Sequence, residues 1–234
     1  MKQHSQWDHV FKLDPDKAIS DQSLERIMRS GTDAIIVGGT DGVTFENVSD
    51  LIDRIKPYDI PCALEVSDLE AIVPEFDAYL IPMVLNSRDK HWLFDVQHHA
   101  VKEYGDIIDW TNTVAEGYCV LNPEAKVFHK ANCQHPSEED VIAYAKMAEH
   151  LLKLAVFYVE YSGTYGDPEL VRRISDELDQ TRLIYGGGIN TSAQAEEMSA
   201  FADTIVVGNV IYENIEAALS TVPAAKRNQE DGVR

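Results

Sequence analysis

The chain has 234 residues, 44% of them hydrophobic, which suits one large domain with a full core. Acidic residues number 40 against 20 basic ones, a formal net charge of −20 at pH 7. Such a surface repels nucleic acid, disfavours broad docking on anionic lipid, and demands a local positive site or a metal ion if the substrate is an anion.

No basic-then-apolar leader opens the sequence, and its longest apolar stretch, Leu151 to Tyr158, is too short for a bilayer. The expectation is a soluble, cytoplasmic protein without a membrane span. Cys62, Cys119 and Cys133 show no CxxC spacing and read as small buried hydrophobes in a reducing compartment.

Eight apolar, β-rich runs recur in chain order. They are His9–Lys12, Ala34–Gly39, Cys62–Val66, Ala78–Ile81, Gly117–Leu121, Val156–Tyr161, Leu183–Tyr185 and Thr204–Val207. Helical signals lie between most of them. Leu24, Ile27 and Met28 share a face that ends at Gly31, and Val48, Leu51, Ile52 and Ile55 keep helical spacing before Pro57. Ser67 with Glu70 suggests a capped short helix. Ser137 opens a helix through Leu152, Asp167-Pro168 another, Asn190-Thr191 a third, and Ile215 to Leu219 is the last.

Strands apolar on both faces, alternating with helices, indicate a parallel sheet inside a helical shell. A count of eight favours a single-domain (β/α)8 TIM barrel over residues 1–223, with 224–234 as a polar, frayed tail. An open doubly wound sheet is the alternative, weakened by the lack of GxGxxG after the first strand.

The carboxyl ends of the strands carry the chemistry in such barrels, with phosphate commonly after strands 7 and 8. Three late strands end in glycine: Tyr158-Val-Glu-Tyr-Ser-Gly163, Tyr185-Gly-Gly-Gly-Ile189 and Val206-Val-Gly-Asn209. Bare backbone there lets N–H groups approach an anion. On strand 1, Lys12 and Asp14 alternate to one side. The lysine suits a phosphate or a Schiff base and the carboxylate suits Mg²⁺, with Thr40 after strand 2 as a further oxygen. Glu160 sits in an apolar run between tyrosines, a costly place for a carboxylate unless it is paired or faces a polar cavity. It is the candidate general base or hydroxyl anchor, with the Tyr158 and Ser162 hydroxyls on its side and Tyr161 on the other. His129, Cys133 and His135 have ligand-like spacing without a fourth partner, and His98-His99 reads as a packed or surface helix element.

Phe11-Lys-Leu-Asp-Pro15, Val37-Gly-Gly-Thr40 and the three glycine-ended motifs together resemble the geranylgeranylglyceryl phosphate synthase family. Within it the chain most resembles the bacterial PcrB branch, the heptaprenylglyceryl phosphate synthases. The resemblance covers essentially the whole chain. It implies a (β/α)8 homodimer that uses Mg²⁺ to transfer a polyprenyl group, heptaprenyl favoured, from its diphosphate to the 3-hydroxyl of sn-glycerol 1-phosphate. The products would be an ether-lipid precursor and pyrophosphate. Glycerol-phosphate contacts then fall on Lys12, Tyr158, Val159, Glu160, Tyr161, Ser162, Gly163, Gly188, Gly208 and Asn209; the reading of the residues themselves makes Glu160, with Tyr158 beside it, the catalytic candidates that orient or deprotonate the hydroxyl. The metal positions fall on Asp14 and Thr40, where some relatives carry serine for the threonine. Ala100 stands where shorter-chain enzymes carry a large aromatic, which leaves a groove open for a long tail. The lipid tail implies transient contact with a membrane surface.

Two other readings compete. A sugar-phosphate isomerase or aldolase of histidine or tryptophan metabolism shares the strand 7 and 8 phosphate site but needs another acid/base pair. A non-catalytic scaffold would show degraded strand ends, and these are intact.

Overall fold

The computed structural model describes residues 6–230, with side chains described as far as Lys226. Strands β1 (His9–Leu13), β2 (Ala34–Val37), β3 (Cys62–Glu65), β4 (Ala78–Val84), β5 (Thr113–Val120), β6 (Val156–Glu160), β7 (Arg182–Gly186) and β8 (Thr204–Val207) form a closed barrel in sequence order. Every pairing is parallel, and β1 closes the ring against β8 through His9↔Ile205 to Phe11↔Val207. The helices are α1 (Asp21–Met28), α2 (Phe45–Ile55), α3 (Val96–Tyr104), α4 (Lys126–Lys130), α5 (Glu138–Lys146), α6 (Pro168–Ser175), α7 (Ser192–Ser199), α8 (Val210–Glu213) and α9 (Ile215–Glu230).

The two-residue period of the strands divides the core into two layers. Phe11, Ile35, Leu64, Cys119, Val159 and Tyr185 face outward and pack with Leu24, Ile27, Leu51, Val171 and Met198 of the helices. Val10, Ile36, Ala63, Leu80, Val114, Tyr158, Ile184 and Val206 fill the interior. Lys12, Glu65, Glu116 and Glu160 lie two residues from interior positions on their own strands, so the same parity aims them into the barrel. All three cysteines are buried and free.

Local chemistry sets the helix starts. The Thr44 and Ser137 side chains accept from the N3 backbone of α2 and α5, and the N3 side chains Asn47 and Asp140 answer in reciprocal capping boxes. Asp167 with Pro168 starts α6 and Thr191 caps α7. The short element after β3 is a 3₁₀ turn, Leu69–Ala71, and its cap is Asp68 rather than Ser67: Asp68 Oδ1 accepts from the Glu70 N–H at 2.9 Å. α5 leaves α geometry at Lys146, and a π-helical turn carries the chain to Leu152.

Residues 224–230, expected as the start of a frayed tail, are helical. α9 continues through Pro223 to Glu230, with Ala224 and Ala225 buried against the barrel and Lys226 Nζ 2.6 Å from Asp33 Oδ1. Pro223 is exposed, so packing of the alanine face carries the helix past a residue that costs it one hydrogen bond. Residues 231–234 of that tail lie outside the described residues.

At the amino end of the barrel His9 is fully buried, its ring nitrogens each 2.9 Å from a threonine hydroxyl, Thr32 and Thr221. Burial pushes its pKa down to about 3, so it is a neutral link between β1, the turn before β2 and α9.

Candidate active site

Toward the mouth the interior carries charge from Lys12, Glu65 and Glu160. Lys12 Nζ contacts Glu65 Oε1 at 2.6 Å, joining β1 to β3. Burial works against the ammonium, but Glu65, Glu160 and Glu116 outweigh it and raise the Lys12 pKa. Glu160, 6% exposed, is held at both oxygens: Tyr118 OH donates to Oε2 at 2.8 Å and the Ser162 N–H donates to Oε1 at 2.6 Å. Each oxygen keeps a lone pair for a ligand. Tyr158 stacks on Tyr118 with centroids 4.7 Å apart, and its buried hydroxyl lacks a hydrogen-bond partner among the described residues. A side chain at Gly186 would collide with that hydroxyl, which explains a bare residue at the end of β7. Burial first, then Glu160, holds both phenols well above their ordinary pKa, so they are neutral donors. Glu116 is fully buried with neither oxygen partnered among the described residues, and burial raises its pKa well above the carboxylate range.

Two cavities meet over this cluster. The polar one, about 520 Å³, is ringed by the ends of β1, β2, β6, β7 and β8. Lys12, Asp14 and Thr40 line one side of it. Tyr158, Glu160, Ser162 and Gly163 line another, and Gly188, Gly208 and Asn209 close it. Gly188 has φ +61°, and a Cβ there would run into the Tyr165 backbone, so the loop after β7 admits only glycine at this point. Lys17 also reaches this cavity, its Nζ 3.0 Å from Asn209 Oδ1 and 5.0 Å from the Tyr212 ring centroid.

The second cavity, about 600 Å³, is a mainly apolar groove. Trp92, Val96, Ala100 and Tyr104 recur every four residues and form one wall. Tyr79, Ile81 and Pro82 of β4 form the other, with Leu69 and Ile72 beside them. α3 buries none of its own residues, so it stands off the barrel and leaves the groove open. The groove runs from Thr40 and Ser162 at the mouth to Ile107, Ile108 and Asn112 at the start of β5. Lys12, Gly39, Thr40, Val127, Glu160 and Ser162 line both cavities and mark their junction.

Sequence reasoning therefore places Lys12, Asp14, Thr40, Tyr158, Glu160, Ser162, Gly163, Gly188, Gly208 and Asn209 around one cavity, and Ala100 in the groove. Val159 and Tyr161 do not join them. Val159 is fully buried in the outer layer, and Tyr161 packs against Tyr185 at 5.9 Å on that same side. These side chains support the strand from behind, as alternation along β6 requires. Glu65, Lys17, Glu116, Tyr118 and Asn122 were missed. Glu65 and Glu116 carried the same signal as Glu160, a carboxylate within or ending an apolar run. Asn122 Nδ2 donates to the Ser162 carbonyl at 2.8 Å and steadies the loop after β6.

Asp14 and Thr40 suit a hard cation. Among the described residues no three His, Cys, Asp or Glu side chains converge as a closed metal centre. Mg²⁺ needs less, one or two protein oxygens with the rest from water and substrate phosphate. A Cβ on Gly39 would fall 2.5 Å from Asp14 Oδ1, so the bare residue between the two candidates keeps that carboxylate open.

Residues 2–226 match the model of the PcrB family. A heptaprenylglyceryl phosphate synthase of Geobacillus kaustophilus is 55% identical over 99% of this chain and 100% of its own length. One of Bacillus cytotoxicus is 60% identical over 95% of this chain and 97% of its own. Among solved structures, (S)-3-O-geranylgeranylglyceryl phosphate synthase from Thermoplasma acidophilum, in complex with sn-glycerol-1-phosphate, superposes with TM-score 0.84 at 26% identity, covering 97% of this chain and 96% of that one. A tryptophan synthase alpha chain from Legionella pneumophila shares the barrel alone, at TM-score 0.55 and 15% identity over 96% of this chain and 93% of its own. With nearly its whole length matched by the family model and by relatives above half identity, the chain belongs to the PcrB family.

Proposed function

We propose that this enzyme is a heptaprenylglyceryl phosphate synthase, joining the 3-hydroxyl of sn-glycerol 1-phosphate to C1 of heptaprenyl diphosphate. The observation that carries this reading is the junction of a polar, glycine-walled cavity with a long apolar groove, with Glu160 lining both. An acceptor phosphate and a donor tail have separate places, and the reacting atoms meet between them. The names and substrates of the relatives support the same assignment.

The glycine ends of β6, β7 and β8 hold the acceptor phosphate, assisted by Lys12 and Lys17. Fixing the phosphate presents the 3-hydroxyl to the free lone pair of Glu160, while Tyr118 and the Ser162 N–H keep that carboxylate from rotating. The hydroxyl oxygen forms the new C–O bond to the allylic carbon. The bond from that carbon to the diphosphate oxygen breaks, and its electron pair leaves with pyrophosphate. The hydroxyl proton passes to Glu160, and the apolar groove keeps water from the electrophilic carbon. Mg²⁺ held by Asp14 and Thr40 would neutralise the charge that develops on the leaving diphosphate.

The small Ala100 leaves room for a long tail. The reading also includes a homodimer in the cytoplasm that meets membrane transiently at the far end of the groove, where Val101, Tyr104, Ile107 and Trp110 are exposed. No helix among the described residues is long and apolar enough to cross a membrane. The test is product analysis with heptaprenyl diphosphate and glycerol 1-phosphate. An ether-linked phosphate and equimolar pyrophosphate are expected, and recovery of unchanged glycerol phosphate would refute the reading.

A further inference from the structure

The donor brings a diphosphate into a chain of formal charge −20, and Asp14, Asp16, Asp41, Glu65 and Glu160 all stand at the mouth. Two cations reach the same region from α4, the short helix in the connection after β5. Lys130 lines the apolar groove and Lys126 the polar cavity, while Val127 between them lines both. α4 therefore straddles the junction where the diphosphate must lie if its tail enters the groove and its C1 reaches the acceptor.

The partners of these lysines are exchangeable. Lys126 Nζ lies 3.5 Å from Asp41 Oδ2, and Lys130 Nζ lies 3.8 Å from Asp41 Oδ1 while also donating to the Thr40 carbonyl. The side chains are 78% and 41% exposed, and such ion pairs are worth little in water. The other two cations lining the cavities among the described residues, Lys12 beside Glu65 and Lys17 beside Asn209, are those already given to the acceptor phosphate.

We propose that Lys126 and Lys130 form a diphosphate-binding arm. Asp41 and the Thr40 carbonyl hold them in readiness, and both lysines transfer to the donor's diphosphate and then to the pyrophosphate product. This rests on the prenyl-transfer reading. It adds a binding element on α4 that the strand-end motifs do not contain. Two ammonium groups on the leaving diphosphate strengthen as its charge grows, so they favour bond cleavage as well as binding.

Inorganic pyrophosphate is the probe, with calorimetric affinity and product inhibition measured on the full chain. The Lys126→Gln/Lys130→Gln double variant is expected to bind pyrophosphate about tenfold or more weakly and to raise KM for the prenyl diphosphate, with KM for glycerol 1-phosphate little changed. Asp41→Asn removes the carboxylate that pairs with both lysines, leaving Lys130 only the Thr40 carbonyl, and is expected to tighten pyrophosphate. Lys56→Gln, the same charge change on the outside of α2's end where Lys56 pairs with Asp53, is the control and should alter neither. Unchanged pyrophosphate affinity in the double variant, or an equal loss in Lys56→Gln, would overturn the arm. A wild-type enzyme that binds pyrophosphate but transfers no prenyl group would overturn the reaction and leave the arm to be judged by binding alone.

Discussion

Tyr118 on β5 donates its hydroxyl to Glu160 Oε2 on the neighbouring β6 at 2.8 Å, inside the barrel and below the junction of the two cavities. The bond joins two interior positions one step apart in register, Tyr118 facing Tyr158 and Val120 facing Glu160. It fixes the carboxylate on one side while the Ser162 N–H fixes it on the other. In the proposed mechanism a base held this way loses no rotational freedom when the acceptor arrives.

Removing the proposed base and removing its support should have separable effects. Glu160→Gln keeps the shape and both neighbours but cannot take a proton. Turnover should fall roughly a hundredfold or more, with a modest rise in KM for glycerol 1-phosphate. Tyr118→Phe leaves the carboxylate but loses a hydrogen bond to a charged group, about 1.5 kcal/mol, or roughly tenfold in turnover. Steady-state kinetics of both variants check this, and near-normal turnover in Glu160→Gln would remove the base role.

The acceptor site should be sensitive at Gly188. Alanine there must hold φ near +61° and also displace the Tyr165 backbone. The strain alone is about 1–2 kcal/mol, so KM for glycerol 1-phosphate should rise roughly tenfold or more with the fold retained. Circular dichroism alongside kinetics distinguishes a local defect from unfolding.

Tail length should respond to Ala100. Tryptophan at this position stands midway along the four-residue stripe Trp92, Val96, Ala100 and Tyr104 and would block the groove below it. Ala100→Trp should shift preference to a shorter prenyl diphosphate in a competition series. An unshifted preference would show that the tail takes another path.

Two buried groups give opposite pH dependences of stability. His9 has a folded pKa lowered from 6.5 to about 3, so the unfolded chain binds the extra proton between those values. Its contribution is complete above pH 6.5 and is lost as pH falls toward 3, at up to ~1.4 kcal/mol per pH unit. Glu116 has a raised folded pKa, so its protonated form favours the native state in acid and stability is lost as pH rises above the ordinary carboxylate range. Denaturant titrations at several pH values should show a flatter acid limb in His9→Gln and a flatter neutral-to-alkaline dependence in Glu116→Gln.

The barrel was legible because most of its strands are apolar on both faces and six of them, all but β4 and β5, end at or just before a glycine or a charged residue. What the local pattern concealed was longer range. β5 starts at Thr113 rather than Gly117, because Glu116 interrupts the apolar run and only the closed barrel explains a carboxylate there. β4 passes through Pro82, whose carbonyl accepts from Gln97 Nε2 at 2.7 Å while Glu116 faces it in register. The polar cavity could be read from glycines and Glu160. The groove was reached only at Ala100, through the family resemblance, since its walls come from β4, a turn after β3 and a helix face that buries nothing of its own.

The enzyme's central chemistry is tested most directly by incubating the full chain with heptaprenyl diphosphate and each enantiomer of glycerol phosphate, and following pyrophosphate and ether product together. Equimolar pyrophosphate and 3-O-heptaprenyl product from sn-glycerol 1-phosphate, both lost in Glu160→Gln, are expected. Pyrophosphate released at the same rate without acceptor, or product formation undiminished in Glu160→Gln, would contradict it.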